Sequence, residues 1–301
     1  VHDLHPQFLS TRYARELADL HGAELVPVQH HQAHIAATTT APCIGIAIDG
    51  VGYGEDGTIW GGEVFAGSIP RYERVGHLEV VPMPGGDLAT RFPERMLYGI
   101  LPDPTVAELL ASRGWTDVEL SVLDAQLTRG INIVPTSSTG RVLDAAAALL
   151  GICRERTYDG EPAMKLESFA AGGKAQAWDL EYVRIGGRQV LSTRSLMRRA
   201  MEEMERKKDQ DQRAMRSIAA SFQFNLARGF AGMAIHAAFE RDIPIIALSG
   251  GVAYNRAIRE TVRNLVTASG LEFRMNPEYP LGDGCISFGQ CIFAGLTAKG
   301  K

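Results

Sequence analysis

Two short apolar runs constrain this chain most. Cys43-Ile44-Gly45-Ile46-Ala47-Ile48-Asp49 and Ile243-Pro244-Ile245-Ile246-Ala247-Leu248 each break off into glycines. Runs this short and this apolar predict strands buried in a sheet. The glycines after them, Gly50, Gly52 and Gly54 in one case and Gly250 and Gly251 in the other, predict turns where backbone can come close to a ligand. Helical patterns lie around these strands. Residues 8–21 are periodic and stop at Gly22, residues 213–240 form a long amphipathic helix, and a helix follows the second glycine pair. The fold class is therefore α/β, with a helical insertion in the middle.

The rest of the chain reads in the same terms. Val1 to Leu4 is the end of a strand whose beginning is missing, and residues 24–28 are a short strand. The run Val28-Gln29-His30-His31-Gln32-Ala33-His34-Ile35-Ala36-Ala37 opens a helix reaching about Ala41, closed by Pro42. Residues 58–68 return as the second strand of a hairpin with its tip at 50–57. Residues 82–100 begin in the turn Pro84-Gly85-Gly86-Asp87 and continue helical. Residues 103–150 are mostly helices, broken at 135–140 and resuming from Val142 to Leu150. Residues 198–216 hold the densest charge and read as a solvated helix face or loop. Gly282-Asp283-Gly284 precedes an apolar helix over 285–297.

Composition removes several classes of function. The chain has 301 residues and a formal net charge of −4, without the broad positive field that binds nucleic acid or an anionic membrane. No apolar run reaches the length of a membrane-spanning helix, and no signal peptide is read at Val1. The cysteines Cys43, Cys153, Cys285 and Cys291 are scattered, so neither a cysteine zinc site nor a disulfide framework is expected, and a reducing cytoplasm is. Cys43 reads as core. There is no phosphate-binding Gly-x-x-x-x-Gly-Lys-Ser/Thr loop, no Gly-x-Ser-x-Gly elbow and no His-Glu-x-x-His.

What remains is a set of metal-ligand types. His30 and His34 are four apart, which on a helix places both on one face; His31 and His34 could also meet. Asp49 ends a buried strand, where ligands bind in α/β sheets, or serves the turn. Asp283 stands in Gly-Asp-Gly before a helix, as a ligand or an N-cap. Two imidazoles and two carboxylates suit Fe(II), Zn(II) or Mn(II).

Together the motifs resemble the HypF carbamoyltransferase family of hydrogenase maturation, in its C-terminal catalytic domain. The stretches are DLHPQFLSTRYA (3–14), VQHHQAHIAA (28–37), IDGVGYGEDGTIWGGEVF (48–65), MPGGDLATRFPERM (83–96), TSSTGRVLDAAAALLGI (136–152), YDGEPAMKLE (158–167), LSGGVAYNR (248–256) and GDGCISFGQ (282–290). The resemblance implies an actin/sugar-kinase/Hsp70-like (ASKHA) fold whose first strands are missing here. Residues 1–80 would be the rest of the first lobe, 81–240 the helical insertion and the start of the second lobe, and 241–301 its nucleotide-binding strand-helix units.

It also implies a divalent metal, Fe or Zn, on His30, His34, Asp49 and Asp283. Nucleotide contacts would fall on a hairpin loop with Gly50, Gly52, Tyr53 and Gly54, on Asp144 for the ribose, on Gly160 and Glu161, and on Gly250, Gly251 and Asn255 around the adenosine. The implied reaction moves a carbamoyl group from carbamoyl-adenylate, made with ATP, to the C-terminal cysteine of a HypE-like acceptor and releases AMP. No side chain is singled out as a covalent nucleophile. The same resemblance extends to O-carbamoyltransferases and tRNA threonylcarbamoyl-transferase enzymes, and a non-catalytic nucleotide-binding remnant is the contrasting reading. Two departures stand out. Cys285 replaces a glycine usual in the family, and could crowd the metal or ligate it. The acylphosphatase, Cys-x-x-Cys zinc and adenylate-forming regions of full-length members have no counterpart in this sequence.

Overall fold

The computed structural model describes residues 1–206 and 211–299, so the charge-dense stretch read over 198–216 lies partly outside the described residues, at 207–210. In chain order the elements are β1 (His2–Asp3), α1 (Leu9–His21), β2 (Pro27–Val28), α2 (His30–Thr38), β3 (Cys43–Tyr53), β4 (Ile59–Ser68), β5 (Arg71–Leu78), β6 (Val81–Pro84), α3 (Asp87–Arg91), α4 (Pro93–Ile100), α5 (Pro104–Ser112), α6 (Asp117–Arg129), β7 (Ile133–Thr136), α7 (Thr139–Leu149), α8 (Glu161–Ala170), β8 (Tyr182–Ile185), β9 (Arg188–Leu191), α9 (Thr193–Arg206), α10 (Gln212–Arg241), β10 (Ile245–Ser249), α11 (Arg256–Ala268), β11 (Glu272–Arg274) and α12 (Ile286–Lys299). Short 3₁₀ turns stand at Gly251–Tyr254 and Asp283–Cys285. The chain divides into two compact units. Unit 1 is Val1–His77, Ile185–Gln189 and Phe230–Lys301; unit 2 is Leu78–Arg184 and Val190–Gly229.

Unit 1 is built on a sheet in which β11, β10, β3, β4 and β5 follow one another. β10 is parallel to both β11 and β3, while β3, β4 and β5 are antiparallel. The two apolar runs thus become adjacent parallel strands, and Ile44, Ile46, Ile48, Ile246 and Leu248 are fully buried. Each such side chain contributes about 1.5–3 kcal/mol on leaving water. Both strands carry their glycines at the carboxyl end, so the two sequence features meet where these neighbouring strands end.

Helix α2 is buried along nearly its whole length. At Gly45 a Cβ would come 2.7 Å from Ile35 Cγ1, so the missing side chain lets the helix lie close on the sheet. At Gly289 a Cβ would run into the Ala33 carbonyl, so α12 approaches α2 as closely. Gln29 caps the start, its side-chain oxygen accepting from the Gln32 N–H at 2.9 Å. The helix ends at Thr38, short of the expected Ala41. Thr39 is already extended, and its hydroxyl accepts from the Ala41 N–H at 3.2 Å. A run of three threonines competes with the helix through β-branching and local hydrogen bonds.

β3 also departs from expectation, by running through Gly50 and Gly52 to Tyr53. Its register against β4 shifts between Ile48 and Gly52, and the strand absorbs the glycines as an irregularity. The expected tip at 50–57 shrinks accordingly, and the Gly54 N–H donates to the Thr58 carbonyl at 2.9 Å.

Unit 2 packs α4 against α7 and pairs β6 with β7 antiparallel, Val81 opposite Thr136. The break expected at 135–140 is shorter than read. β7 occupies its first residues, and α7 starts at Thr139, with the Ser138 hydroxyl accepting from the Arg141 N–H at 3.1 Å. Among the described residues no helix is long and apolar enough to cross a membrane.

Candidate metal centre

The centre lies within unit 1 and draws on three elements. α2 supplies His30 and His34, one turn apart. β3 supplies Asp49 where the strand meets its glycines. The 3₁₀ turn before α12 supplies Asp283. One ligand atom from each lies within 4.8 Å of all the others. Nε2 of His30 and Nε2 of His34 both stand 3.3 Å from Asp49 Oδ2, and 3.5 and 3.7 Å from Asp283 Oδ1. His30, His34 and Asp49 are buried, whereas the Asp283 side chain is 72% exposed, so the cluster has one wall open to water.

The groups around these four hold them in place. His30 Nδ1 lies 2.9 Å from Asp3 Oδ2, a carboxylate that can only accept, so Nδ1 carries the proton and Nε2 is left to face the cluster. Asp49 Oδ1 accepts from the Gly251 N–H at 3.0 Å. His34 Nδ1 has Ser249 Oγ and Cys285 Sγ each at 3.4 Å. Cys285 therefore lies on the side of His34 turned away from Asp49. It neither crowds the point of convergence nor joins the ligand set.

Electrostatics follow from the geometry. Burial opposes charge on His30, but hydrogen bonds to Asp283, Asp3 and Asp49 outweigh it and hold the ring well above the usual histidine range. His34, opposed by burial in the same way, is raised to about 10 by Asp283, Asp49 and Cys285. Burial would lift Asp49, yet its two histidine partners hold it well below the usual carboxylate range. Asp283 is held low by the same histidines. His31, fully buried beside His30, is pushed far down by burial and by that neighbour's charge. With neutral imidazoles, Asp3, Asp49 and Asp283 would leave three negative charges in a largely buried space. The donor set fits a divalent cation of the Fe, Zn or Mn kind on charge and on ligand type. Two backbone positions support the fit. A Cβ at Gly52 would run into the His31 ring and come 2.9 Å from His30 Cδ2, and a Cβ at Gly251 would come 2.9 Å from Asp49 Oδ1.

The glycine-rich positions have structural duties of their own. Gly50, Gly52 and Tyr53 are on strand β3, not in a loop, and the Tyr53 carbonyl accepts from Gln29 Nε2 at 3.0 Å. A Cβ at Gly54 would meet the Trp60 indole, and one at Gly250 (φ +101) would meet the Ile48 backbone. Asn255 caps α11, accepting from the Ile258 N–H at 3.0 Å.

The other three predicted residues lie in unit 2. Asp144 is fully buried with Arg141 Nη2 at 2.7 Å, and burial raises its carboxyl. Gly160 (φ 78) stands just before α8 as its N-cap residue, and Glu161, the first residue of the helix, accepts from the Thr157 N–H at 2.5 Å and pairs with Lys165 at 2.7 Å. Asp3, a further residue of the cluster, stands in the stretch DLHPQFLSTRYA, and no spacing in the sequence links it to His30.

Comparisons with known proteins agree with one another. The family model described as the HypF Kae1-like domain matches residues 1–40, and that described as carbamoyltransferase, Kae1-like domain, second subdomain matches residues 45–290. A probable carbamoyltransferase HypF of Methanocaldococcus jannaschii is 40% identical over 97% of this chain and 38% of its own length. A carbamoyltransferase HypF homolog of Cupriavidus necator is 36% identical over 98% of this chain and 77% of its own. A crystal structure of full-length HypF in a phosphate- and nucleotide-bound form superposes with a TM-score of 0.89 at 31% identity, covering 100% of this chain and 39% of that one. The chain thus spans about two fifths of the first of these relatives and of the solved protein. The fold is of the ASKHA type that HypF shares.

Proposed function

Because the chain belongs to the HypF carbamoyltransferase family, we propose that it carries out carbamoyl transfer from carbamoyl-adenylate to the C-terminal cysteine thiol of a HypE-like acceptor, in the cytoplasm, during hydrogenase maturation. In that step the acceptor thiol gives its proton to solvent, the resulting thiolate attacks the carbamoyl carbon, the bond from that carbon to the phosphate oxygen breaks, and AMP departs with the electron pair. The observation that carries the reading is the convergence of His30, His34, Asp49 and Asp283 on one point.

A divalent ion held there, Fe or Zn, would supply Lewis acidity toward carbamoyl or phosphate oxygens. The chain's own contribution is placement. Asp49 is fixed by the Gly251 N–H, and the two imidazoles present Nε2 in one direction. The buried side of the cluster excludes water, while the exposed Asp283 marks the side from which a substrate would enter. Gly50, Gly52, Tyr53, Gly54, Gly250, Gly251 and Asn255 are proposed as nucleotide contacts, as are Asp144, Gly160 and Glu161. The full-length HypF solved with phosphate and nucleotide supports a nucleotide-binding role for this fold.

The test supplies purified chain with carbamoyl-adenylate and a HypE-like acceptor and follows AMP release and acceptor mass. Release with a gain of one carbamoyl group on the acceptor, absent in His30→Ala/His34→Ala, supports the reading. Nucleotide binding with no transfer by a metal-loaded wild type would refute it in favour of a binding module.

A further inference from the structure

The two imidazoles of the centre are alike in what they face and unlike in what stands behind them. Behind His30 is a carboxylate at 2.9 Å. Behind His34 are a hydroxyl and a thiol at 3.4 Å. The Ser249 hydroxyl is positioned to donate to the Leu281 carbonyl, also at 3.4 Å, which leaves its lone pairs for the His34 Nδ1–H. A hydrogen bond to an ionised acceptor is shorter and about twice as strong as one between neutral groups. It also leaves more electron density on the opposite ring nitrogen.

Asp3 is itself anchored. β1 pairs in parallel with β2, Asp3 opposite Val28, two residues ahead of His30. The Asp3 carbonyl accepts from the Thr11 hydroxyl at 3.1 Å, and Oδ1 accepts from the His5 N–H at 2.9 Å. The side chain is therefore fixed from both ends of its residue, and is buried.

Building on the metal-holding reading above, we propose that Asp3 is the positioning residue of this centre. It locks His30 with Nδ1 protonated and Nε2 aimed at the convergence of Asp49 and Asp283, which makes His30 the anchoring ligand and His34 the weaker donor. Two-residue strands seldom do much for a fold on their own; here β1 and β2 serve to bring a carboxylate behind a ligand.

The experiment measures Zn(II) affinity by competition, and the visible spectrum with Co(II), on the intact chain. The variants are Asp3→Asn, Asp3→Ala and Ser249→Ala, with melting of each metal-free protein recorded alongside. Asp3→Asn is nearly isosteric but has one acceptor oxygen where Asp3 uses two, so it loses the charge and can accept from only one of His30 and the His5 amide. Its Zn(II) affinity should fall about 10-fold, and that of Asp3→Ala toward about 100-fold, the range for outer partners of ligating histidines. Ser249→Ala should lose no more than about 3-fold, since a neutral backing group gives the smaller effect. The Co(II) bands should shift in Asp3→Ala, a change that mere loss of stability would not produce. If Asp3→Ala does not fold, Asp3→Asn decides. Affinities equal to wild type in both Asp3 variants, or a larger loss in Ser249→Ala, would overturn the assignment and leave the metal centre standing. A wild type that takes up neither ion would bring down the centre and the assignment together.

Discussion

Glu94 in unit 2 and Asp49 in unit 1 are both buried carboxylates, 3% and 6% exposed, and their surroundings could hardly differ more. Glu94 is met by cationic and indole donors. Arg154 Nε is 2.7 Å from one oxygen and Trp115 Nε1 2.7 Å from the other, with Arg113 close behind. The arginines are tied down in turn, Arg113 to the carbonyls of Ala148 and Leu149 at 2.6 and 2.8 Å and Arg154 to that of Arg113 at 2.8 Å. The arginines are permanently charged, the indole N–H only donates, and the group is complete; it holds helices together. Asp49 shares its partners with a second carboxylate, and those partners are imidazoles, which can give up their protons. A cluster of acceptors aimed at a single point is organised for a cation, where a cluster of carboxylate and guanidinium is organised for packing.

Four experiments bear on that contrast. The largest effect is expected for His30→Ala/His34→Ala: metal content should fall from about one equivalent to near none by elemental analysis, because the remaining carboxylates cannot hold a transition metal alone. Retention of metal by that variant would end the distinction between the two clusters. Glu94→Ala should cost about 3 kcal/mol in denaturant unfolding, the low end for breaking a buried pair, because Arg154 is half-exposed and can be rehydrated. Its metal content should stay at the wild-type level, and a loss of metal would mean that the clusters are not independent.

Gly52→Ala pushes a methyl toward the rings of His30 and His31. It should cost about 1–3 kcal/mol by overpacking, together with a loss of Zn(II) affinity seen in competition titration. A stability loss with unchanged affinity would show that the rings move as one body. Arg91→Ala removes an exposed pair with Glu155. It should change stability by less than about 1 kcal/mol, and so gives the baseline for the other three.

Much of this was legible in the sequence, and the physical reasons differ by element. His30 and His34 could be paired because helical spacing is short-range, and Asp49 and Asp283 because each stands at a strand end or turn beside glycines. Asp3 could not, since its contact with His30 spans 27 positions and depends on a two-residue parallel ladder that no local pattern encodes. β5 was missed because Arg71, Tyr72, Glu73 and Arg74 lack alternation, and the strand is buried only in its second half. Arg74 enters by pairing with Glu63 at 2.5 Å and lying over the Trp60 ring, a partnership visible only once β4 and β5 are aligned. β7 was hidden inside a stretch whose Pro, Ser, Thr and Gly content reads as a break. The early end of α2 followed from its threonines, whose competing hydrogen bonds a periodicity count does not weigh.

The exposed Asp283 has a kinetic consequence. Three of the four proposed ligand groups are locked into helix and sheet, and the fourth projects from a short turn with its side chain 72% exposed. Rotation of the exposed Asp283 side chain alone would open the proposed centre, a local event far cheaper than global unfolding. On the metal-holding proposal, the chain would fold first and be loaded afterwards. A chelator should then strip a metal-loaded chain at a rate set by Asp283, long before the protein unfolds, so that the proposed metal would reflect the last ions a preparation met rather than those present when it folded.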